Sequence, residues 1–75
     1  MNLRELKSGE RARIISVDCG SGEKNKLLNL GITVGTLIES LYKSPSGNPA
    51  AYLVRGAVFA LRNETAEKII ILRPQ

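Results

Sequence analysis

The sequence has no histidine, no tryptophan, one cysteine (Cys19) and only three aromatic residues, Tyr42, Tyr52 and Phe59. Without histidine, neither a Ser-His-Asp nor a Cys-His nucleophilic site can be built. With a single cysteine, no internal disulfide and no tetrahedral Cys/His zinc site can form. A lone thiol fits a reducing compartment, and Cys19 reads as an inert thiol at a strand end. No apolar run approaches the roughly 18 residues of a membrane span. The N-terminal Met-Asn-Leu-Arg-Glu-Leu carries no apolar signal-peptide core, so the expected location is the cytoplasm. The seven carboxylates follow neither an oxygen-cage nor an EF-hand spacing. Gly20-Ser21-Gly22 matches no phosphate-binding pattern and reads as a solvated link. An enzyme is therefore the poorest reading, and no catalytic residue, metal ligand or cofactor is assigned.

The 75 residues read as one domain, 1–75, with 43% hydrophobic and 24% charged residues. Such a chain buries only about 60% of its unfolded surface, which leaves little depth for a catalytic cavity. The formal charge is +4, but the basic residues are scattered and read mainly as solubility. Binding to single-stranded nucleic acid calls for aromatic stacking platforms on a basic groove. Three aromatics, with Phe59 inside a strand pattern, and Arg11 and Arg13 on one strand face give that reading weak support. A metal-responsive module is a further alternative.

Along the chain, Leu3 and Leu6 suggest a short turn packed on the core. Glu10–Asp18 is predicted as a first strand. Its neighbours Ile14 and Ile15 point to opposite faces, which suggests a helix covering the outer one. Cys19 to Gly22 should be a flexible link. A helix of about Glu23–Leu30 follows, with Leu27, Leu28 and Leu30 on one side and Asn25, Lys26 and Asn29 on the other. Gly31 should end it in a left-handed conformation, and Ile32 should pack back on Leu27. Val34-Gly35 reads as a turn. Further strands are expected at Thr36–Lys43, Ala50–Arg55, Ala57–Arg62 and Lys68–Arg73. A turn-rich loop spans Ser44–Pro49, a hairpin turns at Arg55-Gly56, and Asn63 is placed to N-cap a one-turn helix. Five short strands in so small a chain close most economically into a barrel. The expected fold is mainly β: a small SH3-like barrel, with a short helix between strands 1 and 2 and a one-turn helix before the last strand. The last strand should return to pair with the first.

The central stretch Leu27-x-x-Leu30-Gly31-Ile32-x-x-Gly35-Thr36 resembles the signature of the FeoA family, small cytosolic proteins of bacterial ferrous iron uptake. Leu3-x-x-Leu6-x-x-Gly9 resembles the family's opening and Pro45-x-Gly47-x-Pro49 its mid-chain loop. Gly56 to Arg62, with Glu64, Ala66, Ile69 and Ile71, resembles its closing segment. One departure is Gly47-Asn48-Pro49, where the family often has Gly-Asp-Pro. The resemblance implies an SH3-like fold and a protein partner, the FeoB membrane iron transporter with its cytosolic GTP-binding domain. It places the chain in the cytoplasm, peripheral to the inner membrane through that transporter. It leaves room for weak homo-oligomerisation and calls for neither nucleic acid nor membrane insertion. A similar barrel ends the iron-dependent repressors, but a start at Met1 without a helix-turn-helix favours a free-standing protein. The resemblance concentrates on Lys26, Leu27, Leu30, Gly31 and Gly35. With Asn29, exposed by the helical wheel, these form the expected partner-binding surface. The competing reading makes the leucines core and the glycines backbone hinges.

Overall fold

A computed structural model describes residues 1–74. A 3₁₀ turn at Leu3–Glu5 leads into β1 (Arg11–Val17), α1 (Ser21–Asn29), β2 (Leu37–Lys43), β3 (Ala50–Val54), β4 (Ala57–Leu61), α2 (Asn63–Ala66) and β5 (Ile69–Leu72). The strands form one antiparallel sheet in the order β4-β3-β2-β1-β5. As expected, β5 returns to β1.

Two bulges curl the sheet. On β1, Ile14 faces Ile71 and Ser16 faces Ile70, so Ile15 is an extra residue. On β2, Ser40 faces Tyr52 and Tyr42 faces Ala51, so Leu41 is extra. Each insertion bends its strand and tightens the local twist. The β1 bulge also shifts the alternation, so that Ile15 and Ser16 both face solvent and Val17 returns to the core. Ile14 is fully buried and Ile15 is exposed to solvent, with no helix covering it.

The concave face buries Leu3, Leu6, Ile14, Ile38, Tyr52, Val54, Leu61, Ile69 and Ile71, and Leu27 and Ile32 join this cluster. Burial raises the Tyr52 phenol above its ordinary pKa and keeps it neutral. The barrel is not sealed. Among the described residues β4 and β5 do not pair, because the chain between them turns through α2 instead of running on as a strand. The 3₁₀ turn packs against α2 and β5 on that side. Phe59, read as lying inside a strand, is half-buried and packs against the core from β4, beside this open seam.

Two polar contacts fasten the ends of the barrel. Lys7 N–H donates to Glu10 Oε1 at 2.8 Å, and Arg73 Nη1 donates to Glu10 Oε2 at 2.7 Å. The Lys7 hydrogen bond first, and then Arg73, holds the Glu10 carboxyl below its ordinary 4.5, against some opposing desolvation. A lowered carboxyl pKa contributes stability that is present above the unfolded value and lost as the pH falls through the folded one. The expected result is that Glu10→Gln lowers the melting temperature at pH 7, and that its gap from wild type closes towards pH 3. A gap that is constant with pH would exclude the ionised contact.

At the other end, Asn48 Oδ1 accepts the backbone N–H of Asn63 at 3.0 Å, and Asn63 Nδ2 donates to Gly47 O at 3.2 Å. Asn63 was expected to N-cap α2. Instead it is the first helical residue, Arg62 is the cap position, and no capping side chain comes from Arg62. Asn48, fifteen residues earlier, satisfies the free N–H from across the loop. Asn48→Ala should therefore cost about 1 kcal/mol in urea unfolding, while Asn48→Asp, which keeps an acceptor at the positive helix end, should cost little.

Candidate functional site

The site is built where α1 ends and β2 begins. Gly20, at φ −61° and ψ 157°, occupies the N-cap position, and Lys24 N–H donates to Gly20 O at 2.8 Å. The helix thus starts at Ser21, two residues before its expected start, and Ser21-Gly22 is its first turn, not part of a link. At its C-terminus, Gly31 N–H donates to Leu28 O and Ile32 N–H to Leu27 O, both at 2.9 Å. This pair of bonds, with Gly31 at φ +85°, is the glycine-terminated stop read from the sequence. Ile32 and Leu27 both enter the core.

The leucine face does not hold as read. Leu27 is 4% exposed, but Leu28 is 54% and Leu30 is 37% exposed. Successive helical residues turn by about 100°, so Leu28 and Leu30 flank Leu27 on opposite sides by about 100° and 60°. A nine-residue helix that touches the sheet tangentially buries a narrower stripe than that. Leu27 is the helix's only buried residue, so α1 is pinned by one side chain and does not form a lid.

The chain then turns at Thr33–Thr36, with Thr36 N–H donating to Thr33 O at 3.1 Å and Gly35 at φ +92°. The turn is laced to β1. Gly35 N–H donates to Ile14 O at 2.7 Å, Ile14 N–H to Thr36 O at 2.9 Å, and Arg13 Nη1 to Gly35 O at 2.6 Å. Val34 is thereby held out at the tip, 60% exposed. Opposite stands the β3–β4 hairpin, Arg55-Gly56, with φ values of +52° and +83°. Between turn and hairpin lies a groove of about 520 Å³, with Leu37, Glu39 and Leu53 among its lining residues and Val34, Arg11 and Arg55 at its sides. Its charge is mainly positive. Arg11 Nε lies 4.0 Å from Glu39 Oε1, and Arg55 forms no ion pair among the described residues. The arrangement is a half-apolar, mainly cationic depression, with the Glu39 carboxylate and the threonines Thr33 and Thr36 also on its lining. Among the described residues no three His, Cys, Asp or Glu side chains come together as metal ligands.

The expected site residues separate. Lys26, Asn29 and Leu30 are exposed on α1, whereas Leu27 is core. Gly31 sits against Arg55, whose Cδ would lie 3.1 Å from an added Cβ. Gly35 lines the groove. Sequence reasoning missed Arg11, Val34, Leu37, Leu53 and Arg55 as one surface. One signal was available at Arg55. The first position of a two-residue hairpin with positive φ favours Asn, Asp or Gly, and an arginine there carries a local conformational cost. For nucleic acid, Tyr52 is buried and Phe59 half-buried, so among the described aromatics Tyr42, at 62% exposure, stands alone as a stacking surface.

The family model for the FeoA domain matches residues 1–73. The chain belongs to the FeoA family. The FeoA protein of Chlorobium tepidum superposes with a TM-score of 0.92 at 32% identity, over 97% of this chain and 70% of its own. Iron(II) transport protein A of Clostridium thermocellum superposes with a TM-score of 0.93 at 27% identity, over 97% of this chain and 45% of its own. Stenotrophomonas maltophilia FeoA, solved with zinc, superposes with a TM-score of 0.82 at 29% identity, over 95% of this chain and 88% of its own. It is described as a prokaryotic SH3 domain protein put forward as a ferrous iron transport activating factor. No curated protein matches the sequence. The FeoA assignment fixes the SH3-like class and the association with ferrous iron transport. No helix among the described residues is long and apolar enough to cross a membrane.

Proposed function

We propose that this FeoA-domain protein is a non-enzymatic accessory factor of ferrous iron uptake. It works in the cytoplasm by binding the FeoB-type transporter on its GTP-binding side. The observation that carries this reading is the groove. Val34, on a turn that three hydrogen bonds tie to β1, and Leu37, at the start of β2, are exposed beside two arginines. Apolar side chains held in place in water beside an arginine without an ion pair among the described residues, Arg55, are suited to protein contact, because little ordering entropy remains to be lost on binding. The exposed side of α1, with Lys26, Asn29 and Leu30, extends the surface past Gly31. Activation of transport, as put forward for the Stenotrophomonas relative, would follow from this contact.

The test is saturable binding of the purified protein to the full-length transporter, with its isolated GTP-binding domain and a mixed oligonucleotide run in parallel. Val34→Asp with Arg11→Glu should weaken transporter binding at least tenfold. Lys26→Glu with Asn29→Arg should weaken it several-fold. All four side chains are exposed, so the fold should be kept in both variants. Absence of wild-type binding in every nucleotide state, beside salt-sensitive oligonucleotide binding, would overturn the proposal.

A further inference from the structure

The two edges of the sheet are treated differently. The β5 edge is covered by the N-terminus, since Ile71 N–H donates to Met1 O at 2.8 Å and Asn2 bridges Ile70. Among the described residues β4 pairs only with β3, which leaves its other edge open. The two-residue loop makes Val54–Ala57 a hydrogen-bonded pair, and the ladder alternates from there. Tyr52–Phe59 and Ala50–Leu61 are then bonded, and the N–H and C=O of Val58 and Ala60 point away from the sheet. Among the described residues no backbone hydrogen bond reaches them. Natural edges are usually guarded by lysine, proline, a bulge or a covering segment. Ala57-Val58-Phe59-Ala60-Leu61 has no charge and no proline, and its pairing with β3 shows no bulge. Val58 is 55% exposed, and Phe59 is half-buried at the open seam.

We propose that the β4 edge accepts an extended segment of another protein as a sixth strand, with a carboxylate near each end of that segment. Backbone bonds would form at Val58 and Ala60. Alternate apolar side chains of the guest would cover Phe59 on one face and Val58 on the other. The choice of guest follows from charge. Arg55 and Arg62 flank the strand, both exposed and neither in an ion pair among the described residues. Antiparallel pairing of two copies about Val58 or Phe59 would bring Arg62 of the second copy beside Arg55, which disfavours a homodimer. A guest with acidic flanks matches both ends. This inference is argued from the β4 edge and not from the proposed transporter contact: Arg55 is shared with the groove, where it lies against Gly31, whereas Val58, Ala60 and Arg62 lie outside it.

The test is titration of the isotope-labelled full chain with the blocked peptide Asp-Val-Thr-Val-Thr-Glu, followed by NMR and amide hydrogen exchange. Saturable shifts should centre on Val58 and Ala60, and those two amides should exchange more slowly. Val58→Pro removes one outward N–H where an edge strand tolerates proline; it should keep the spectrum of a folded protein and lose binding at least tenfold. Arg55→Glu with Arg62→Glu should weaken the acidic peptide roughly tenfold and favour a Lys-flanked version. A folded Val58→Pro variant that binds like wild type would refute the proposal. So would shifts confined to the groove, or concentration-dependent self-association through β4 in the absence of peptide.

Discussion

Leu27→Ala is expected to destabilise the domain by about 2–5 kcal/mol, the range for emptying a buried leucine site. A domain of this length has roughly 4–11 kcal/mol to lose, so the variant should be partly unfolded at physiological temperature. The neighbouring Leu28→Ala should change stability by no more than about 0.5 kcal/mol, because that side chain is already 54% exposed. Chemical denaturation of the two variants measures the contrast directly. The expected ratio is large because α1 has no second anchor. Leu27 is its only buried residue, and Glu23 and Lys68 add one partly exposed ion pair at 3.8 Å, worth little in water. Nine residues cannot hold a helix in water without packing, so removal of Leu27 should release the whole segment. Similar losses for both variants would mean that the helix seats its leucines differently.

Gly31→Val should cost about 2–3 kcal/mol. At φ +85°, a residue with a Cβ pays a penalty of order 1–2 kcal/mol, and β-branching adds to it. The added Cβ would also meet Arg55 Cδ at 3.1 Å. The arginine arm can swing aside, so this second effect is felt less in stability than in the position of a groove residue. Gly31→Asn, which tolerates the left-handed region, should cost under about 1 kcal/mol. Urea unfolding gives the order Gly, Asn, Val. Partner binding should fall in the folded fraction of the valine variant more than in that of the asparagine variant. Equal stability of all three would remove the helix stop from its assigned role.

The exposed β4 edge and the groove offer two separate contacts on one small barrel. The groove uses side chains on a hydrogen-bonded turn, whereas the edge uses backbone groups of a strand. Arg55 is common to both, so the variants Val34→Asp and Val58→Pro, which leave that arginine in place, are the ones that separate them.

The sequence by itself determined the punctuation of the fold. Gly31, Gly35 and Gly56 marked the helix stop, the following turn and the hairpin, because positive φ is a local property that a single residue type satisfies. The five strands and their order of occurrence were legible for the same reason, since alternation and turn chemistry are short-range; the return of the last strand to the first and the SH3-like class were read from the economy of closing five short strands and from the resemblance to the FeoA family. The Leu27–Ile32 contact was legible too, because the helix stop brings those positions together. Only the tertiary structure decided which leucines of α1 are buried, because that depends on the angle at which a short helix meets a curved sheet. It alone revealed the two bulges that place Ile15 and Leu41, the open seam beside Phe59, and the partnership of Asn48 with Asn63. It also alone assembled Arg11, Val34, Leu37, Leu53 and Arg55 into one groove. Those residues lie on three strands and two turns, and their proximity follows from sheet register and curl, which no local pattern encodes.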